Sequence, residues 1–304
     1  MRTAGSALLM IMAALLACAA VAGSAVDRLA HTAGPVRRIA GDLPRDEAVR
    51  TALPAVLAHA VRSGVPAGIF VPDALEGPLE RASAHAVDAA LDSPGFQDAW
   101  LASLDASREA YVDRLEEVRA GSRDTAEVTL ELGPLASHGV ADLKKAAGDV
   151  GLGFLIDSLQ TDITASVPLA FPVTDAAGSA RIATVVWLSA AWAWAALGAV
   201  VLAIAGFIMA HPRRRGWSLV LGGLVVCLGA VGLLTIAAGL LPDAAPVPVG
   251  QDPAAGLAAA AQARVMEGLS DYVTGWAVPA LVGGGVVVVV GGVMRLLVGR
   301  PRNR

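Results

Sequence analysis

Three stretches of the C-terminal half, about 183–210, 217–241 and 276–298, carry almost no charge over lengths that suit a bilayer. Roughly 20 apolar residues, at 1.5 Å each, span a hydrocarbon core of about 30 Å. A fourth stretch, ALLMIMAALLACAAVAGSAV at 7–26, meets the same criterion. A soluble domain carries charge on about a quarter of its residues. This chain of 304 residues is 16% charged and 55% hydrophobic. The expected fold class is therefore an α-helical membrane protein: four transmembrane helices with a mostly helical extracytoplasmic domain that contains a small strand element.

The densest positive cluster, HPRRRGW at 211–217, lies between the second and third stretches. Short cytoplasmic loops are enriched in Lys and Arg, so the cluster predicts a cytoplasmic turn and fixes the remaining topology. The expected order is an N-terminal anchor (1–26), an extracytoplasmic domain (27–181), a second span (182–210), a cytoplasmic loop (211–216), a third span (217–241), an outer Pro-rich loop plus helix (242–275), a fourth span (276–298) and a cytoplasmic tail (299–304). Arg2 at one end and Arg300, Arg302 and Arg304 at the other agree with both termini being inside. The acids are an independent check, because all 27 Asp and Glu fall in the two outer segments. The expected location is the plasma membrane, with the lipid bilayer as a partner. A nucleic-acid partner is not expected, since that would need a larger basic surface. Trp187, Trp217 and Trp276 fall near predicted span ends, where indoles favour the interface. Trp192 and Trp194 read as packing residues deeper in span two.

The first stretch admits three readings. It can be an uncleaved anchor, a secretory signal cut after the small residues Gly23-Ser24-Ala25, or a lipoprotein leader in which Leu15-Leu16-Ala17-Cys18 is the lipobox and Cys18 is lipidated. All three leave 27–181 outside. Cys18 and Cys227 both fall in spans, so the exported region has no disulfide framework and must be held by its core.

Within that region, residues 27–45 read as a tether, with Gly34-Pro35 and Leu43-Pro44. Helical spacing follows over Asp46–Arg62 (Val49, Leu53, Val56, Leu57, Val61) and over Pro72–Leu91. A third helix carries Phe96, Trp100, Leu104, Tyr111, Leu115 and Val118 on one face, with Ser93 and Pro94 as its predicted start and Gly121 as its end. Alternation over Glu127–Leu132 predicts a half-buried strand, stopped by Gly133-Pro134 and followed by a helix over Leu135–Ala147. Residues 162–171 predict a second extended segment that pairs with the first.

The stretches ALDSPGFQDAW, LEEVRAGS and VTLELGPL, followed by three C-terminal spans, resemble a family of actinobacterial integral membrane proteins. The resemblance implies one N-terminal span, an extracytoplasmic domain with a Leu-x-Leu-x-Pro-Leu-like strand exit, and three later spans. The family's usual Asp in that exit is absent here, where Glu131-Leu132-Gly133 stands. The resemblance implies an architecture and carries over no site residue, cofactor or activity.

No catalytic, cofactor-binding or metal-ligating residue is predicted. Glu127 and Glu131 share a strand face but stand roughly 13 Å apart, beyond the carboxylate separation of about 9.5 Å in glycosidases, so they read as a solvated face. His31, His59, His85 and His138 lack zinc-ligand spacing. Gly151-Leu152-Gly153 does not complete a GxGxxG, and Lys144 and Lys145 read as an exposed helix face. The spans hold no ionisable residue in their interiors, which argues against a small-solute transporter. Glycines recur at seven-residue intervals instead (Gly222/Gly229, Gly232/Gly239, Gly284/Gly291), as in closely packed helices.

The outer segment 242–275 reads as a Pro-rich connector and an Ala-rich helix that packs on the domain or lies on the membrane, with Arg264, Glu267 and Asp271 facing away. In 27–181, Asp and Glu outnumber Lys and Arg by 23 to 14. The leading expectation is a non-enzymatic envelope protein that presents an acidic domain for binding or scaffolding, with an envelope protein or a second copy as partner. An extracytoplasmic enzyme or regulator, with a site assembled only in the tertiary structure, is the alternative.

Overall fold

The structure, a computed structural model, describes residues 2–47, 49–51, 53, 95–139, 166–169, 175–210, 215–240 and 253–298. Its elements are α1 (Arg2–His31), α2 (Ala33–Ala40), a 3₁₀ turn (Leu43–Arg45), α3 (Phe96–Ala120), β1 (Val128–Glu131), β2 (Ser166–Leu169), α4 (Ala176–Ser189), α5 (Trp192–Met209), α6 (Arg215–Leu240) and α7 (Pro253–Val298). The fold is overwhelmingly helical, and four helices are long and apolar enough to cross a membrane: Gly5–His31, Trp192–Met209, Gly216–Thr235 and Ala258–Leu296. This is a multi-pass membrane protein. The chain divides into two compact units, an apolar bundle (Met1–His31, Thr184–Pro242, Leu269–Arg304) and a polar unit (Thr32–Ala183, Asp243–Gly268).

In the apolar bundle, small residues let helices meet closely. α1 and α5 run antiparallel: the Ser6 hydroxyl donates to the Gly206 carbonyl (3.0 Å), and Gly23 lies against Ser189 and Trp192. α1 and α6 run parallel, with Gly222 beside Met10 and Gly229 beside Cys18. α6 and α7 run antiparallel on paired glycines. A Cβ at Gly223 would lie 2.7 Å from the Gly284 carbonyl oxygen, and one at Gly291 would lie 2.8 Å from that of Gly216. α6 thus has two glycine contact faces: Gly216/Gly223 meets α7, and the expected Gly222/Gly229 pair meets α1, whereas Gly232 meets open space.

The polar unit is built on α3. Its stripe is buried at Phe96, Trp100, Leu104 and Leu115, whereas Tyr111 and Val118 are only half-buried. Trp100 is 1% exposed, and its indole N–H donates to the Ala40 carbonyl (3.0 Å). Val49, Leu53, Leu130, Leu132, Leu135 and Ala261 complete the surrounding core. α3 starts at Phe96 with Gly95 as its cap and no side-chain bond; the expected cap, Ser93-Pro94, lies outside the described residues. Gly121 ends it as predicted, in the left-handed region (φ 76°). The Ser122 N–H reaches Glu117 and the Gly121 N–H reaches Val118, which satisfies the last carbonyls in a Schellman motif.

β1 and β2 pair antiparallel, Val128 opposite Leu169 and Glu131 opposite Ser166, as the two extended segments predicted. Pro168 sits opposite Thr129 and cannot donate to a ladder, so it suits the outer strand of a two-stranded sheet. Two serines a turn apart on α3 bind backbone donors: Ser107 accepts from the Glu131 N–H (2.7 Å) and Ser103 from the Leu135 N–H (3.1 Å). The second is a first-turn donor of the helix over 133–139, which has no intrahelical partner. Ser103 is fully buried. Ser103→Ala leaves that N–H unsatisfied and is expected to cost about 1–3 kcal/mol, read as a lowered thermal midpoint of the purified chain.

Several expectations are corrected. The tether over 27–45 is instead the last turn of α1, then α2 and a 3₁₀ turn, and Ala40 and Leu43 enter the core. Gly133-Pro134 opens the helix over 133–139 rather than merely stopping β1, since proline is tolerated in a first turn. The span expected over 182–210 is broken at Ala190–Ala191, so that α4 ends at Ser189 and the span starts at Trp192. There the Ser189 hydroxyl takes the Val186 carbonyl, and the Ala191 N–H closes onto Leu188. Trp192 and Trp194 thus stand in the first turn of α5, and Trp194 is 75% exposed, not packed. The separate helix and span expected within 242–298 are one 46-residue helix, α7, with Pro279 inside it. Neighbouring helices make such a proline tolerable within a span.

Candidate functional site

Two features rise above general packing. The first is a cavity of about 400 Å³ in the apolar bundle, walled by α1, α5, α6 and α7 and lined by small apolar residues such as Ala13, Ala17, Ala203, Gly222 and Gly283. Among the described residues that line it, only Cys18 brings a polar side-chain group, its thiol. At the two ends of the bundle, arginines stack on indoles: Arg28 over Trp276 at 5.3 Å and Arg295 over Trp217 at 4.6 Å. Tyr272 meets the Trp276 ring edge-on at 6.4 Å, and its hydroxyl donates to the Ala25 carbonyl (3.1 Å).

The second feature is the charged surface of the polar unit. Arg114 on α3 reaches β1, donating to the Glu131 carboxylate (2.9 Å), the Thr129 hydroxyl and the Glu127 carbonyl. Glu131 also accepts from the Thr129 hydroxyl (2.7 Å). The expected solvated pair is thus unequal: Glu127 is exposed, whereas Glu131 is half-buried and paired. Arg37 of α2 pairs with Asp105 of α3. Arg264 does not face away from the unit but bonds Asp46 (2.8 Å) and Glu267 (2.8 Å). Those bonds, Asp46 first, hold its guanidinium above the ordinary value. Gly268 lies against Ile39, and Ala261 is in the core, so the first part of α7 packs on the unit, one of the two expected placements. Burial pushes the Tyr111 phenol above its ordinary range.

The histidines are not brought together. His31 is exposed, with Nδ1 3.2 Å from the Asp27 carbonyl. The His138 ring lies against Gly95, where any Cβ would come within 2.3 Å of it. His59, His85, Lys144, Lys145 and Gly151–Gly153 lie outside the described residues. Among the described residues, no three of His, Cys, Asp and Glu are grouped to hold a metal ion. Sequence reasoning missed Arg114, since its partners are 13 to 17 residues away across a turn, and it missed the cavity, whose glycines read only as packing surfaces. No protein-family model, curated protein or solved structure matches this chain.

Proposed function

We propose that this protein is a plasma-membrane protein whose N- and C-termini are cytoplasmic and whose residues 27–181 form an acidic extracytoplasmic domain that binds or scaffolds an envelope component, either another protein or a second copy of the chain. The observation that carries the reading is the partition of charge: every Asp and Glu lies in the segments 27–181 and 242–275, and the three consecutive arginines lie between two spans. Four crossings return both termini to one side, and the positive-inside rule makes that side the cytoplasm. The place of α1 in the bundle, through Ser6, Met10 and Cys18, supports its retention as an uncleaved anchor. The same arrangement of spans and domain supports membership of the actinobacterial family that the sequence resembles.

The test is thiol labelling in intact cells, in a background lacking Cys18 and Cys227. Ala120→Cys, at the exposed end of α3, reports the domain. His211→Cys reports the arginine turn. An impermeant maleimide is expected to label the first and not the second; the reverse pattern overturns the orientation. Crosslinking from the domain in the same cells then identifies its partner. Recovery of neither a foreign protein nor a second copy removes the scaffolding role.

A further inference from the structure

The cavity in the apolar bundle is a slot with a definite shape. Its lining runs from Met10 to Val21 on α1 and from Gly222 to Leu233 on α6, each about 16 Å at 1.5 Å per residue. Those helices are parallel and in register at Met10/Gly222 and Cys18/Gly229, so the slot is long and narrow along the helix axes. Spread over that length, 400 Å³ gives a mean cross-section of about 25 Å². A polar solute would lose its hydrogen bonds against these walls, while an empty slot forfeits dispersion contacts along every wall. What fits is a single flexible hydrocarbon chain.

Charge identifies the rest of the molecule. The lining ends on α7 at Val287, and two turns further along, roughly 12 Å, stands Arg295 on the Trp217 ring. Arg295 is exposed and makes no ion pair among the described residues. In the sequence, segments 1–26, 182–241 and 276–304 contain no Asp or Glu, and three consecutive arginines, 213–215, precede the span that carries Trp217. An anion is drawn to such a surface.

We infer that the slot holds one acyl chain of an anionic phospholipid, with its phosphate at the Arg295 end of the bundle. The inference rests on immersion in a bilayer, which resistance to alkaline extraction establishes separately in the same sample. The test uses the full chain in phosphatidylcholine vesicles that contain a trace of phosphatidylglycerol or phosphatidylcholine with a mid-chain diazirine. After illumination, peptide mass spectrometry is expected to find phosphatidylglycerol adducts on Ala17, Cys18 and Val226. Those adducts should be lost in Val226→Phe, while adducts on outward-facing Ile208 and Val289 persist. Ala203→Leu narrows the slot from α5 and serves where Val226→Phe does not fold. Arg295→Gln should remove the preference for phosphatidylglycerol. Adducts confined to the outward residues of the unaltered chain, or equal slot labelling by the two lipids, would overturn the inference.

Discussion

Trp100→Ala should destabilise the polar unit by about 3–5 kcal/mol, the cost of emptying a large aromatic site in a packed core. The indole is 1% exposed and touches the centre of the cluster formed by α2, α3 and β1. Its N–H also bonds the Ala40 carbonyl, which the substitution would leave unpaired. A domain is commonly stable by only about 5–15 kcal/mol, so the variant should be digested by protease under conditions that leave the parent intact. Trp100→Phe separates the two contributions. It keeps most of the packing and loses the hydrogen bond, for about 1 kcal/mol plus the cost of the unpaired carbonyl. Equal protease resistance of Trp100→Ala and the parent would show that the core is not centred on this residue.

The second large effect is expected at Gly223. A Cβ there would meet the Gly284 carbonyl oxygen at 2.7 Å and the Val288 backbone nitrogen at 3.0 Å, and neither backbone atom can rotate away. Gly223→Val therefore forces α6 from α7, at a cost of about 3 kcal/mol or more. Gly232, on the same helix, meets nothing within 4 Å. Gly232→Ala is expected to be neutral or slightly stabilising, because alanine has the better helix propensity by about 1 kcal/mol. Thermal midpoints of the two variants in one detergent check the contrast. A tolerated Gly223→Val would remove the glycine contact from the account of bundle stability.

How much of this was legible in the sequence depends on the range of the interaction. The spans were readable because length and apolarity are local properties, and α3 because its stripe repeats over 25 residues and ends at a glycine. The pairing of β1 with β2 was readable as two extended segments. The break at Ala190–Ala191 was not, because no Gly or Pro marks it and the turn is closed by Ser189 and backbone groups. The continuity of α7 was hidden by the opposite signal, a proline at 279 that the helix absorbs. Seven-residue glycine spacing predicted close packing correctly but not which glycines meet, because Gly222 and Gly223 differ by one residue and face different helices. The paired state of Glu131 depends on Arg114, 17 residues earlier, and no short-range pattern announces it.

The two arginine–indole stacks also make the bundle a gauge of membrane thickness. Trp276 and Arg295 lie 19 positions apart on α7, about 28 Å along the axis, and each is fastened by its stack to another helix, α1 at one end and α6 at the other. Sliding or tilting one helix to suit a different thickness would break a stack, so the bundle must shift as a whole or bend the lipid around it. Mismatch costs only fractions of a kcal/mol per Å, but a bundle clamped at both ends cannot spread that cost over its helices separately. It would gather where the hydrocarbon is about 28 Å deep and drift out of thicker patches of the same membrane.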